Sequence, residues 1–222
     1  MAGPFITMEG IDGSGKSTQI QRLAARLDRA GVPVEVSKEP GGTPLCQELR
    51  ALLLERHPSG ESWAPAAELL LFYADRAQHI ARWIAPMLQQ GKVVLLDRFD
   101  DSTRAYQGAQ GIADGDLDRI GGWVLDGLRP DLTLVLDLDP ADSLARAGTR
   151  NAADQAFRET RFDEETLEFH RRVRSRFLAM AAREPGRVAV VPAAQDADAV
   201  ERAVWARVEP VLRAAGFQVQ EP

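Results

Sequence analysis

The segment G-I-D-G-S-G-K-S-T at residues 10–18 constrains the fold more than any other stretch of this chain. Gly10 and Gly15 bracket four residues, and Lys16, Ser17 and Thr18 follow directly. Glycines at that spacing let the backbone curl until several N–H groups point at one anion, and the pattern works between a strand and a helix. Both flanks are present. Residues 5–9 (F-I-T-M-E) read as a short buried strand. Ile20, Leu23, Ala24 and Leu27 recur at helical spacing until Gly31 and Pro33 stop them. The positive end of that helix then faces the anion. Gly10, Ile11, Asp12, Gly13, Ser14, Gly15, Lys16, Ser17 and Thr18 are the candidate cradle for ATP or GTP. Lys16 is expected to reach the β and γ phosphates, and Ser17 and its hydroxyl to ligate Mg²⁺. A plain Gly/Ser turn would explain the composition but not the spacing with both flanks. Asp12 stands out inside this loop, because a carboxylate aimed at phosphates is costly. Either it turns toward a second substrate or it bonds its own backbone.

Further strands are expected at 34–37, 93–97 (V-V-L-L-D), 132–137 (L-T-L-V-L-D) and 188–191. Helices are expected from Thr43 through Leu54, over 66–90 with Pro86 bending or ending the run, and over 120–128. Short strands rich in Val, Leu and Ile that alternate with helices belong to a parallel sheet covered on both faces. The expected fold class is therefore α/β, a P-loop NTPase fold with a central five-stranded parallel sheet, built by residues 1–222 as a single domain. Ligands of such folds sit at the carboxyl ends of the strands. Three of those ends lead into the glycine loop, into K-E-P-G-G-T at 38–43 and into R-F-D-D-S at 98–102.

Charge narrows the function. The net charge is −6, which disfavours non-specific binding to nucleic acid or membrane surfaces. Lys16, Lys38 and Lys92 are the only lysines among 27 cations, and nine arginines lie between Arg146 and Arg183. The single cysteine, Cys46, excludes an internal disulfide and reads as a small semi-buried residue. His57, His79 and His170 show no metal-ligand spacing. No signal-peptide pattern opens the chain and no apolar run is long enough to span a bilayer, so a cytoplasmic protein is expected. Small GTPases read guanine with Asn-Lys-x-Asp, whereas the one asparagine here, Asn151, precedes Ala152. Motor ATPases resemble a pattern that ends the second catalytic strand in Asp-Glu, where this chain has Asp97-Arg98.

Several segments hint at a second substrate. Glu39-Pro40-Gly-Gly-Thr is a turn after a strand, and Arg50 follows on the next helix. Phe72 and Arg76 share a helix face at i,i+4 spacing. Residues alone would make Arg50 a solvated arginine, Phe72 a core residue and Arg76 half of an ion pair, and would leave Tyr106 open between core and site. Five segments nonetheless occur in one order: E-G-I-D-G-S-G-K-S-T at 9–18, E-P-G-G-T at 39–43 with Leu49-Arg50, L-F-Y-A-D-R at 71–76, D-R-F-D-D-S-T-x-A-Y-Q-G at 97–108, and R-P-D-L-T-L-x-L-D at 129–137. Together they resemble the thymidylate kinases, which move the γ-phosphoryl group of ATP to dTMP, giving dTDP for dTTP synthesis and DNA replication.

The resemblance implies a role for each matching residue. Glu39 and Pro40 help shape the dTMP pocket, and Arg50 holds the dTMP phosphate. Phe72 stacks on thymine and Arg76 bonds a thymine carbonyl. Asp12 reaches the 3′-hydroxyl. Ser102, Thr103, Tyr106 and Gln107 contact the nucleoside, with Tyr106 crowding the 2′ position. Asp97 organises Mg²⁺, and Arg98 spans the donor and acceptor phosphates. Phe99 stands where the family often has Tyr or His. Gly13 stands where one branch of the family carries an arginine in the loop, so catalytic arginines are expected from a lid over about 146–162, as in the bacterial enzymes. Arg146, Arg150, Arg158 and Arg161 lie there, with Arg158 and Arg161 the candidates. Arg171, Arg172, Arg174 and Arg176 read as a solvated helix face. The resemblance also implies a homodimer.

No general base is required, since a phosphate monoester has a second pKa of about 6. A deoxynucleoside kinase would need such a base and would have no use for paired arginines. A slow regulatory ATPase would have no reason to keep Phe72, Arg76 and Tyr106 together.

Overall fold

The computed structural model describes residues 2–143 and 165–219. Five strands form one parallel sheet: β1 (Phe5–Glu9), β2 (Val34–Lys38), β3 (Val93–Asp97), β4 (Leu132–Asp137) and β5 (Val188–Pro192), in the order β2-β3-β1-β4-β5. The α/β fold expected from the sequence is the one observed. Register brings the three strand ends together. Met8 pairs with Asp97 of β3 and with Leu134 of β4, and Lys38 of β2 also pairs with Asp97.

Side chains alternate along each strand, so each strand feeds both faces. Ile6 and Met8 of β1, Val93 and Leu95 of β3, and Leu132, Leu134 and Leu136 of β4 share one apolar cluster with Leu23, Leu27, Val204 and Val208. Helices α1 (Lys16–Arg29) and α8 (Ala197–Ala214) cover that face. Phe5, Val94 and Leu96 pack on the opposite face with Ile84, Leu88 and Phe99. Thr7 and Glu9 point the same way as Phe5. Thr7 bonds Thr133 at 2.9 Å, and Thr133 donates to Asp101 at 2.9 Å. The second face is therefore polar at the carboxyl ends of the strands, where the site lies.

Helices differ from their sequence expectations in instructive ways. Thr43 caps α2 (Pro44–Leu54) as expected, its hydroxyl accepting the Cys46 N–H at 3.3 Å. The expected long helix at 66–90 is three pieces: α3 (Pro65–His79), a π-helical turn (Ile80–Ile84) and α4 (Ala85–Gln89). Pro86 cannot donate to the carbonyl four residues back and its ring would crowd it. The wider turn, in which Ala85 N–H reaches the Ile80 carbonyl, relieves that contact without ending the helix. Helix α5 (Asp100–Ala109) carries so few apolar residues that periodicity does not reveal it; it buries Asp100, Asp101, Ser102, Thr103 and Gln107 through hydrogen bonds. Helix α6 (Asp114–Leu125) starts earlier than expected, because Gly115, Gly121 and Gly122 mask a helix anchored by buried Leu117. Helix α7 (Leu167–Arg183) runs back across α5.

Candidate active site

The glycine loop joins β1 to α1 as its spacing predicted. Gly10 has φ 135°, and a Cβ there would stand 2.7 Å from the Leu136 carbonyl oxygen. Gly15 enters α1 with φ 96° and offers no side chain to the helix N-terminus. The first turn of α1 holds no acidic residue, so its N–H groups and dipole favour an anion. Lys16 is buried beneath the loop, and its Nζ donates to the carbonyls of Gly10 at 3.1 Å and Ile11 at 3.2 Å. Ile11 contributes backbone to the loop while its side chain packs in the core with Tyr106 and Phe169. Ser17 Oγ donates to Asp97 Oδ2 at 3.1 Å, so the two residues expected at a metal do stand together.

At the end of β3 the backbone turns sharply at Arg98, whose φ is 70°. A non-glycine residue held in the left-handed region must be fixed by its surroundings. Here the fixing groups are visible. Arg98 N–H bonds the Met8 carbonyl at 3.1 Å. Glu9 accepts the next N–H, from Phe99, at 2.7 Å and also the hydroxyl of Ser102. The kink throws the Arg98 side chain across the site. Its Nη2 meets Asp12 at 2.7 Å and Tyr106 Oη at 3.2 Å, and Nη1 meets Ser102 at 3.0 Å. Burial pushes the Asp12 carboxyl up, but the charges of Arg98 and Lys16 outweigh it and hold Asp12 well below the usual carboxylate range. Burial and Arg98 together push the Lys16 ammonium down. Asp12 is thus the shared counter-charge of two cations, 3.8 Å from Lys16 and 2.7 Å from Arg98.

A cavity of about 400 Å³ opens between the loop and α3. Lys16, Ser17 and Thr18 line it at one end, and Arg50, Phe72, Arg76 and Gln107 at the other, with Arg98 between. Arg76 is 2% exposed and makes the ion pair that the residues alone suggested, here buried in the wall of the cavity. Its Nε donates to Glu39 at 2.9 Å and its Nη1 to Thr103 at 3.0 Å, and Asp100 lies 3.5 Å away. Arg50 Nη1 donates to the Pro40 carbonyl at 2.7 Å, beside the cis Glu39–Pro40 peptide. Phe99, the residue that departs from the family pattern, packs edge-on to Phe5 at 5.0 Å with the Arg76 guanidinium 5.2 Å over its ring.

One set of residues escaped sequence reasoning. His79 Nδ1 pairs with Glu39 at 3.0 Å and Nε2 with Ser37 at 2.9 Å, which holds the carboxylate that holds Arg76. Its i,i+3 spacing from Arg76 was the available signal. Glu9 and Glu68 are likewise buried behind residues that were named. The solvated helix face expected at 171–176 is a correction: Arg174 forks onto Asp137 at 2.6 and 2.9 Å, and Arg176 bonds the Arg104 carbonyl at 2.7 Å and Asp114. Arg171 and Arg172 read as expected: both are exposed, and Arg171 lies 3.7 Å from Glu168. Arg146, Arg150, Arg158 and Arg161 lie outside the described residues.

Comparison with known proteins matches this arrangement. The family model described as thymidylate kinase matches residues 8–204. The thymidylate kinase of Solidesulfovibrio magneticus is 50% identical over 210 residues, covering 94% of this chain and 100% of that one. That of Syntrophotalea carbinolica is 44% identical over 213 residues, covering 96% and 98%. Among solved structures, the thymidylate kinase from Ehrlichia chaffeensis superposes with a TM-score of 0.74 at 34% identity, over 94% of this chain and all of that one. With the family model matching 8–204 and relatives this similar along nearly the whole chain, the chain belongs to the thymidylate kinase family.

Proposed function

We propose that this chain transfers the γ-phosphoryl group of ATP to dTMP by in-line displacement, giving dTDP and ADP. The observation that carries the reading is that one continuous cavity is lined by a phosphate cradle at one end and by Arg50, Phe72 and Arg76 at the other, with Arg98 in between. In this reading ATP lies on Gly10–Thr18 with its β and γ phosphates toward Lys16. The dTMP phosphate meets Arg50, its sugar meets Asp12 and Tyr106, and its base stacks on Phe72. Glu39 and Pro40 shape the pocket, and Ser102, Thr103 and Gln107 face the nucleoside.

Chemistry then needs positioning and charge stabilisation more than proton transfer, since the attacking phosphate oxygen is largely ionised at neutral pH. Arg98 supplies a rigid planar fork between the two phosphates, where negative charge is shared in the transition state. Ser17 and Asp97 offer two hard oxygen donors side by side, 3.1 Å apart, beside the place the phosphates take. That donor set suits Mg²⁺, which binds through few protein oxygens plus substrate phosphates. Bound there it would neutralise phosphate charge. Arg158 and Arg161 remain candidates to close over ATP from the lid. A reaction that draws on ATP for dTTP synthesis fits a cytoplasmic protein. Exposed Leu45 and Leu52 on α2, Leu70 on α3 and Trp123 on α6 support a homodimer.

The test is ADP release from ATP-Mg²⁺ with dTMP, dUMP, dCMP, dAMP or thymidine as acceptor. Turnover strongest with dTMP and lost in Arg98→Ala is expected. Activity on thymidine but not dTMP would make Arg50 something other than a phosphate ligand, and turnover indifferent to acceptor would leave only the ATP site.

A further inference from the structure

The acceptor end of the cavity presents two hydrogen-bonding groups of opposite kind. Arg76 can only donate. Gln107 could offer either end of its amide, and what decides between them lies behind it. Gln107 Nε2 donates to Glu68 Oε1 at 2.9 Å, and Gln110 Nε2 reaches the same oxygen at 3.1 Å. Glu68 sits in the first turn of α3, 3% exposed, and Gln107 on α5 is 1% exposed. An oxygen that meets two amides at these distances accepts from the NH₂ of each, which fixes how both amides turn. Gln107 still lines the cavity, and what it has left to offer a ligand there is its carbonyl oxygen, which only accepts.

We infer that Glu68 is a positioning residue that sets base specificity: by anchoring the Gln107 amide it makes the pocket pair a donor, Arg76, with an acceptor, Gln107 Oε1. That pair matches an imide edge, a carbonyl next to a ring N–H, as in thymine and uracil. Cytosine presents the reverse, an amine next to a bare ring nitrogen, and would leave both protein groups facing like partners. Rejection of that kind is strong because buried polar groups are left unpaired. The inference rests on reading this cavity as the dTMP pocket.

The experiment compares kcat/KM for dTMP, dUMP and dCMP in the wild-type enzyme, Glu68→Met and Glu68→Gln. In Glu68→Met the Gln107 amide loses its anchor and can rotate. The dTMP-to-dCMP ratio should then fall by about tenfold or more, with the dTMP-to-dUMP ratio and the KM for ATP unchanged. Glu68→Gln restores an acceptor oxygen and should bring the ratio back to within about threefold of wild type. A residue that merely stabilises the fold would lower kcat/KM for all acceptors alike. An unchanged dTMP-to-dCMP ratio in Glu68→Met therefore overturns the inference and leaves the kinase reading intact. A wild-type enzyme inactive on dTMP overturns the kinase reading instead. Should Glu68→Met not fold, Glu68→Ala takes its place. The wild-type enzyme gives an independent readout: dTMP methylated at ring N3 should bind at least about tenfold more weakly than dTMP, and equal binding overturns the inference.

Discussion

Glu9 ends β1 on the sheet face that meets α5, fully buried, with Phe99 N–H and the Ser102 hydroxyl on its two oxygens. Burial above all, with the charge of Asp101, pushes its carboxyl up to about 8 against the smaller pull of Ser102, Arg98 and the Phe99 N–H. An unfolded glutamate titrates near 4.5. Between those values the unfolded chain releases a proton that the folded chain keeps. The group's contribution to stability is therefore full below about pH 4.5 and is lost as the pH rises toward 8. Glu9→Gln keeps the shape and removes the titration. Its stability relative to wild type should rise by roughly 3–5 kcal/mol between about pH 5 and pH 9, widening the difference in Tm by roughly 10 °C. Thermal unfolding of both proteins across that range checks it, and a pH-independent difference would mean that Glu9 ionises normally. Arg98, the neighbour whose backbone Glu9 holds in place, allows a sharper kinetic prediction. Arg98→Lys keeps the charge but loses the fork that meets Asp12, Ser102 and Tyr106 together. A fall in kcat of about 100-fold or more is expected in single-turnover assays, whereas near-normal turnover would mean that charge alone suffices. The sequence made Arg98 legible as a charge at a strand end. It could not show the left-handed backbone or the buried acid that fixes it, because both depend on a contact between residues 90 positions apart.

At the scale of elements, the turn after β2 and the helix α3 form one unit. Ser37, His79, Glu39 and Arg76 hand hydrogen bonds from the strand to the pocket floor. Gly42 is where the turn passes against that unit, and a Cβ there would lie 2.1 Å from His79 Nε2. The His79 ring is fully buried and tied at both nitrogens, so it has nowhere to go. Gly42→Ala should cost about 2–4 kcal/mol by denaturant titration and raise the KM for dTMP more than that for ATP. Gly108 is the contrasting case. A Cβ there would meet the Arg176 guanidinium at 2.3 Å, but that is the far end of a long side chain, 29% exposed, which can shift by giving up its bonds to Arg104 and Asp114. Gly108→Ala should cost about 1 kcal/mol or less. Equal costs at the two positions would mean that space, not rigidity of the neighbour, sets the penalty. The strands were legible because apolar runs bounded by turns need no partner to be recognised, and the capped start of α2 was legible because Thr43-Pro44 is a local signal. Helix α5 was not, since beside Ala105 and Tyr106 its buried residues are Asp, Ser, Thr and Gln, and only tertiary hydrogen bonds make such a face worth burying.

For the whole molecule, the central strands β1, β3 and β4 bury their apolar residues so fully that the large apolar groups exposed on helices carry meaning. Trp123 on α6 is 84% exposed, Leu45 and Leu52 on α2 are 63% and 52%, and Leu70 on α3 is 57%. Helices α2, α3 and α6 are joined through α3, which packs on both of the others. They carry the acceptor side of the site on their inner surfaces, through Arg50, Phe72 and Arg76, and large apolar groups on the outer ones. Single exposed leucines need no explanation, but several on adjoining helices suit a surface that a partner could cover. A second copy of the chain would cover it with one patch serving both sides of a two-fold interface. The chain should therefore sediment as a dimer at micromolar concentration. Leu70→Glu combined with Trp123→Glu should shift it to a monomer by placing charges where two copies meet. Because α3 also carries Phe72 and Arg76, the monomer should lose affinity for dTMP by several-fold while its KM for ATP, bound at the far end of the cavity, stays within about twofold. Wild-type protein that sediments as a single chain would remove the interface. A double variant that becomes monomeric with unaltered dTMP affinity would keep the interface but separate it from the site.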